Sequence, residues 1–444
     1  MALLTKAPRG TQDFLPADTA KLRYIEATAL EIAALYGFKE IRTPTFEHTE
    51  LFDRSVGDTT DVVQKEMYTF TDKGGRLITL RPEGTAGIVR CVMEHSLLND
   101  ALPVKACYIT NCFRYEKPQA GRWREFSQFG VEAFGPAVPD ADAEVIALAQ
   151  EVLTTLGVND ITLKINSIGC PTCRAEYHKA LKEYFAKNAE NLCETCRGRL
   201  DKNPMRILDC KSPVCAEIAA GAPKVLDYIC DDCRAHFEGV KSRLTGAGIA
   251  FEVTPTLVRG LDYYTNTVFE FVSNAIGAQG TVCGGGRYNG LVEALGGSPT
   301  PALGFGMGIG RLMLVMEAAK SEYPEEKGCD VYIAPLGEGA KQRAFELIKQ
   351  LRTEGFAAET DLMGRSLKAQ MKYADKLGAA YTLVIGDSEL EQSIGKLKNM
   401  KTGAQTDVPL TDAFVETFYN LTLSEAVEDL SNTGLEGFDL NLLK

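Results

Sequence analysis

The sequence predicts a mixed α/β fold in several domains, and three observations carry that prediction. Helical periodicity and β-type alternation are interleaved through the first 166 residues. Eight of the thirteen cysteines crowd between positions 170 and 233. From Val331 onward, short buried-type strands alternate with helical segments, the pattern of a small α/β domain. A chain of 444 residues accommodates about three domains at roughly 150 residues each. Its 45% hydrophobic and 24% charged residues exclude disordered and collagen-like classes.

Taken in order, Asp18–Tyr36 carries Leu22, Ile25, Ala29, Ile32 and Leu35 at helical spacing, with Asp18 as N-cap and Gly37 as stop. An extended Phe38–Thr43 follows and ends at Pro44. Val104–Glu116 and Arg124–Phe134 read as a hairpin around a Lys-Pro-Gln-Ala-Gly tip. Asp140 opens a helix through Val145, Ile146, Ala149, Val152, Leu153 and Leu156, closed by Gly157. Residues 167–250 are helical between their cysteine pairs. Strands and glycines return over Pro255–Gly310, a helix runs from Arg311 to Lys320, and 321–328 is a polar linker. Val331–Pro335, Phe356–Thr360 and Tyr381–Ile385 are strands, and 422–444 is an acidic tail.

Lys and Arg number 48 against 60 Asp and Glu, a net charge of −12. Such a chain is no general phosphate-coating protein. The cysteine-rich stretch 167–250 differs, with 13 basic and 11 acidic residues. Met1–Gly10 lacks the apolar core of a signal peptide, and the apolar run Ala302–Ala319 is broken by four glycines and Arg311. The expectation is a cytoplasmic protein with no membrane span. In that setting clustered thiols read first as metal ligands rather than disulfides.

Four stretches carry chemistry. In the hairpin, alternation puts Arg114 and Glu116 on one face, and Phe126, Gln128, Gly130 and Glu132 on one face of the return strand. Ser127, Phe129, Val131 and Ala133 take the other, core-like face. The charged face is either solvated or a platform for a flat ligand, which a mid-strand glycine and Phe126 favour. In Ala302–Arg311, glycines 304, 306, 308 and 310 alternate with Leu303, Phe305, Met307 and Ile309. Either a tight crossing or a ligand must approach that bare backbone, beside the fixed cation of Arg311. Leu257–Tyr264 and Gly284–Gly290 supply Arg259, Tyr263, Tyr264 and Tyr288 beside glycine turns. Glu83 and Thr85 follow a strand, as a helix cap or as polar ligands.

This combination resembles the histidyl-tRNA synthetase family of class II aminoacyl-tRNA synthetases over residues 5–420. Phe113-Arg-Tyr-Glu116 with Arg122-Trp-Arg-Glu-Phe126 resembles motif 2, and the glycine strand ending in Arg311 resembles motif 3. The segment from the first helix to Pro44 is similar to motif 1, which builds a dimer interface. Leu257–Tyr264, Gly284–Leu291, Arg9–Pro16 and Leu80–Thr85 look like signatures of the same family.

The resemblance implies an α+β catalytic domain on a mostly antiparallel sheet (1–166 and 251–327), a helical Cys-rich insertion (167–250) and an α/β anticodon-binding domain (328–421). It implies activation of histidine by ATP with Mg2+, transfer to tRNA, and a homodimer. Arg114 would grip the α-phosphate, Glu116 the adenine amino group, and Phe126 and Arg311 the adenine faces. Arg122 and Arg311 would reach the outer phosphate. Glu83, Thr85 and Gln128 would hold the amino acid backbone, and Glu132 with Tyr263, Tyr264 and Tyr288 the imidazole. Arg259 would be the catalytic arginine, and Lys117 and Gln119 would meet the tRNA acceptor end. The rival is the regulatory subunit of ATP phosphoribosyltransferase, which shares the catalytic fold and usually lacks the anticodon domain.

Cys170, Cys173, Cys193, Cys196, Cys210, Cys215, Cys230 and Cys233 form four pairs, spaced for two four-thiolate zinc sites or packed as buried thiols. His178 and His236 are placed on helix surfaces.

Overall fold

A computed structural model describes residues 4–57, 60, 62–119, 121–210, 212–275, 280–324 and 328–432. The chain divides into two compact units, Met1–Pro324 and Glu325–Lys444. The first is built on an eight-stranded sheet. Its strands run in the order Lys39–Glu40, Val104–Phe113, Glu125–Phe134, Ala302–Gly308, Thr281–Arg287, Thr265–Val272, Thr162–Ser167, Glu252–Val253. Only the two outermost pairings are parallel, so the sheet is mostly antiparallel, as expected.

Alternation assigns each strand one core face and one open face. Phe129, Val131, Ala133, Leu303, Phe305, Met307, Phe269 and Phe271 all point into one core. Four helices cover that face: Pro16–Leu35, Pro139–Thr155, Asp231–Gly246 and Ile309–Ala319. The residues between them, Gln128, Gly130, Glu132, Gly304, Gly306 and Glu270, are left on the opposite face. The register lines up Tyr108, Gly130, Gly306, Gly284 and Glu270 side by side across five strands. Three adjacent glycines thus make a trough in the middle of the sheet.

Several boundaries differ from the sequence expectation for local reasons. The first helix starts at Pro16, whose fixed φ suits the first helical position, so Asp18 lies inside the first turn and is not the cap. Likewise the helix expected from Asp140 starts at Pro139. The extended Phe38–Thr43 pairs only at Lys39–Glu40. The hairpin strands stop at Phe113 and restart at Glu125, so Arg114 and Glu116 sit on the connection rather than in the ladder. A small three-stranded sheet of Phe46–His48, Leu77–Leu80 and Tyr68–Thr71 went unpredicted.

The cysteine-rich segment is helical, with Pro171–Ala186, Glu194–Lys202, Pro213–Ala220 and Asp231–Gly246 joined by short 3-10 turns. Tyr177, Leu181, Phe185, Cys196, Ile207 and Cys215 form its own core, which also takes in Leu257, Val258, Tyr264 and Val268.

The second unit has a five-stranded sheet in the order Ala358–Thr360, Val331–Pro335, Tyr381–Ile385, Ile394–Asn399, Gln405–Pro409. The last two strands escaped the sequence reading because each buries so little apolar side chain, Leu397 beside Gly395 in one and Val408 in the other. The final helix, Ala413–Asn432, runs past Thr422 into the expected tail, and Glu425 accepts hydrogen bonds from Tyr381 and Asn399. The rest of that tail, 433–444, lies outside the described residues, as do positions 325–327 of the expected linker. No helix among the described residues is long and apolar enough to cross a membrane.

Candidate active site

The trough opens into a cavity of about 540 Å3 lined by Glu83, Thr85, Arg114, Gln128, Arg259 and Tyr264 among others. Glu132 lies fully buried behind the lining residue Thr85. The Tyr288 hydroxyl donates to its Oε2, while Thr85 Oγ1 at 2.7 Å and the Tyr108 hydroxyl at 3.1 Å donate to Oε1. Burial pushes this carboxyl up to about 8, against the pull of those hydroxyls. Tyr263 packs against two of the tyrosines, its ring tilted 4.6 Å from that of Tyr264 and edge-on 5.5 Å from that of Tyr288.

Glu83 is the helix cap that the sequence allowed, and it also borders the cavity. Its oxygens accept the backbone N–H groups of Thr85 and Ala86, each at 2.8 Å, capping the helix Thr85–Glu94. Burial raises this carboxyl too.

The glycine strand answers a more specific need than close approach of a ligand. A Cβ at Gly304 would stand 2.0 Å from Glu132 Oε2, and one at Gly306 would stand 1.9 Å from Gln128 Nε2. The glycines make room for the polar side chains of the neighbouring strand to lean across the sheet. A Cβ at Gly310, inside the helix, meets nothing within 4 Å, so the alternation there is not one of close contact.

Arg259 lies over Gly284, ion-paired with Glu270 and with its guanidinium carbon 5.7 Å from the centre of the Tyr264 ring. Burial opposes its charge, but Glu270 and Tyr264 outweigh that and hold it protonated.

An adjoining compartment of about 170 Å3 is lined by Arg114, Glu116, Arg122, Trp123, Phe126 and Arg311. The Arg114 guanidinium sits 5.4 Å from the Phe126 ring centre while its Nε donates to Pro82 O at 2.8 Å. Arg122 Nη1 is 3.0 Å from Glu116 Oε2. Arg311 is fixed by donation to the carbonyls of Gly121 and Thr281, at 2.9 and 2.8 Å. Ser127, expected to face away, borders this compartment as well. Lys117 and Gln119 are exposed at the hairpin tip, away from both cavities.

The eight clustered cysteines fall into two groups of four: Cys170, Cys173, Cys230 and Cys233, and Cys193, Cys196, Cys210 and Cys215. Within each group the sulfurs lie within 4.8 Å of one another. Cys170, Cys193 and Cys230 each sit at the N-cap of a helix, which aims backbone N–H groups at the thiols. The backbone N–H groups of Cys173 and Cys196 are the largest cause that pulls Cys170 and Cys193 down to about 7.

The sequence reading missed three residues. Tyr108 fills the space over Gly84 and Gly130. Glu270 is the lone charge in the apolar run Val268–Val272, on the face opposite the core residues Phe269 and Phe271. Arg206 donates to the carbonyl of Arg259 at 2.9 Å. His236 is also corrected: it is not a surface residue but packs 3.1 Å from Asp142, whose carboxylate pairs with the fully buried Arg287. His178 is half-buried in a second cavity.

Comparison with known proteins agrees with this architecture. A histidyl-tRNA synthetase family model matches residues 10–312, and an anticodon binding domain model matches residues 330–417. The histidine–tRNA ligase of Acetivibrio thermocellus is 55% identical over 92% of this chain and 98% of its own length. That of Clostridioides difficile is 53% identical over 92% and 98%. The crystal structure of apo Staphylococcus aureus histidyl-tRNA synthetase superposes with a TM-score of 0.80 at 42% identity, covering 94% of this chain and all of that one. A Bacillus halodurans protein named as an ATP phosphoribosyltransferase regulatory subunit/histidyl-tRNA synthetase is more distant, at 26% identity and a TM-score of 0.62 over 87% of this chain. By these matches the chain belongs to the histidyl-tRNA synthetase family.

Proposed function

We infer that the chain activates L-histidine with ATP to histidyl-adenylate and pyrophosphate, then esterifies the 3′ end of its tRNA with histidine. The observation that carries this reading is the buried Glu132, ringed by Tyr108, Thr85 and Tyr288 on the trough face of its strand, with Arg259 seated over Gly284 on the same face of the sheet. A buried carboxylate among hydroxyls suits an imidazole, since both ring nitrogens then find partners. Such a pocket rejects apolar isosteres by roughly 10⁴-fold or more, and no editing domain is needed.

In this reading Glu132, Tyr263, Tyr264 and Tyr288 bind the imidazole, and Glu83, Thr85 and Gln128 hold the α-amino and carboxylate groups. ATP enters with Mg2+ on its outer phosphates. Its adenine lies between Phe126 and Arg311 with Glu116 on the amino group. Arg114 meets the α-phosphate, and Arg122 and Arg311 the outer ones. The histidine carboxylate attacks the α-phosphorus, the bond to the β-phosphate oxygen breaks, and Arg259 stabilises the added charge. Catalysis is by positioning and fixed charge, without a covalent enzyme intermediate.

Residues 1–166 and 251–327 serve as the catalytic domain, 167–250 as an insertion and 328–421 as the anticodon reader. Lys117 and Gln119 contact the tRNA acceptor end. The chain acts as a homodimer in the cytoplasm. Zn2+ fits the two four-thiol groups: a tetrahedron with Zn–S bonds of about 2.3 Å has S···S edges of about 3.8 Å. The sulfur pairs Cys170–Cys173, Cys193–Cys210 and Cys173–Cys233 stand at 3.5, 3.9 and 4.0 Å.

The test is attachment of labelled histidine to tRNA carrying a histidine anticodon. Acid-stable transfer that requires ATP supports the reading, whereas a folded protein that charges no tRNA overturns it and revives the regulatory-subunit alternative. Against that alternative stand the anticodon-binding domain match and relatives named as histidine–tRNA ligases at 53–55% identity.

A further inference from the structure

We propose that the zinc site formed by Cys193, Cys196, Cys210 and Cys215 positions Arg259 for histidine activation, acting through Arg206. The proposal rests on the reading of the trough as the activation site and adds a task for one of the two four-thiol groups.

The first observation is location. Cys193 and Cys210 line the same 540 Å3 cavity as Glu83, Arg114 and Arg259, together with Arg206 from the same segment. The other group, Cys170, Cys173, Cys230 and Cys233, lines none of that cavity.

The second is how the segment between the thiols is held. Its helix, Glu194–Lys202, is short and almost wholly polar, and Cys196 is its one buried residue. A helix of that length has little stability alone and docks on the insertion core only through Cys196 and Leu200, one turn apart. Residues 197–209 leave this helix, make the 3-10 turn Pro204–Ile207, and return at Cys210. Cys196 and Cys210 are therefore the two ends of the excursion, and a shared ion ties them together.

The third is what the excursion touches. Asn203 Nδ2 donates to Asp262 Oδ1 at 2.9 Å and Arg206 Nη1 donates to the Arg259 carbonyl at 2.9 Å. Both contacts grip the loop that presents the Arg259 guanidinium above Gly284. Arg206 is thus a positioning residue. Met205 and Ile207 still anchor the turn in the insertion core, so cutting the tie at Cys210 loosens the excursion at that end rather than releasing it, and a displacement of the order of 1 Å at a catalytic group lowers turnover on the order of 100-fold.

The experiment combines metal analysis with kinetics. Protein purified without chelator should hold close to two zinc ions per chain, one for each group. Its Co2+-substituted form should show tetrahedral thiolate bands. Cys210→Ser should hold one ion. Its kcat for histidine-dependent ATP–pyrophosphate exchange should fall on the order of 100-fold, with KM for ATP and the ATP response of Trp123 fluorescence unchanged. Arg206→Ala should keep both ions and show the same loss of kcat, while Arg206→Lys, which retains a donor for the carbonyl, should recover most of it.

A wild-type protein without zinc, or a red, iron-loaded one, overturns the site. Zinc lost with kcat intact, or Arg206→Ala turning over normally, overturns the positioning role alone. If Cys210→Ser does not fold, the two Arg206 variants decide the link. A zinc-loaded wild type with no exchange activity overturns the activation reading, and this proposal with it.

Discussion

The guanidinium of Arg259 occupies the space that a side chain at Gly284 would need: a Cβ there would stand 2.4 Å from Nη2, 2.5 Å from Nη1 and 2.6 Å from Cζ. Gly284 is thus the seat of the proposed catalytic arginine. Gly284→Ala should expel Arg259 from its pairing with Glu270. The expected result is a fall in kcat for pyrophosphate exchange on the order of 100-fold, with KM for ATP within a few-fold of wild type. Steady-state exchange kinetics check this, and unchanged kcat contradicts it.

Glu132 makes the stability of the ligand-free protein depend on pH. Its folded carboxyl stands near 8 against an ordinary 4.5, with burial the largest cause. The folded state keeps a proton that the unfolded chain releases, so the contribution is full below pH 4.5 and is lost as pH rises through about 8. Glu132→Gln removes this dependence. Its melting temperature should gain on wild type steadily between about pH 5 and pH 8, then level off. Glutamine also cannot ionise opposite a bound imidazolium, so the same change should weaken histidine binding roughly 10- to 100-fold, as expected for hydrogen bonds to a charged group. Thermal melts at three pH values, with histidine titrations, measure both; a flat difference across pH rejects Glu132 as the titrating group.

Arg287 and Asp142 lock the helix Pro139–Thr155 to the central sheet. The guanidinium is almost fully buried, 2.6 Å from Asp142 Oδ2, and donates to the carbonyls of Pro136 and Val138. Asp142→Ala strands that charge and should cost about 3–5 kcal/mol of stability. Denaturant unfolding of the variant measures it, and a loss under about 1 kcal/mol contradicts the role.

Lys117 and Gln119 project from the hairpin tip, clear of both compartments. Replacing both with alanine should leave pyrophosphate exchange at wild-type rates and slow transfer to tRNA by roughly 10-fold, the worth of one or two charge-assisted hydrogen bonds. Equal losses in the two assays contradict an acceptor-end role.

Much of the site was legible because alternation is a local rule. Phe129, Val131 and Ala133 went to the core, and Gln128 and Glu132 to the open face over Gly306 and Gly304, as period two requires. The glycine strand was legible as a site, but its reason was not, because Gln128 and Glu132 lean on it from a strand far away in sequence. Long-range partners stayed hidden for the same cause: nothing in either neighbourhood pairs Arg287 with Asp142, 145 positions apart. The cysteine spacing allowed two four-thiol groups as well as packed buried thiols, and did not say which pairs combine. The sheet and the insertion core decide that, by bringing the first CxxC beside the last and the second beside the third pair.

The central claim is that Arg259 and the Glu132 pocket serve histidine activation, and histidine-dependent ATP–pyrophosphate exchange tests it most directly. Wild-type protein should exchange label only when histidine is present. Arg259→Ala should lose exchange while its melting temperature and the Trp123 response to ATP persist. A folded wild type that gives no exchange at saturating ATP and histidine, or an Arg259→Ala variant that exchanges at the wild-type rate, contradicts the account.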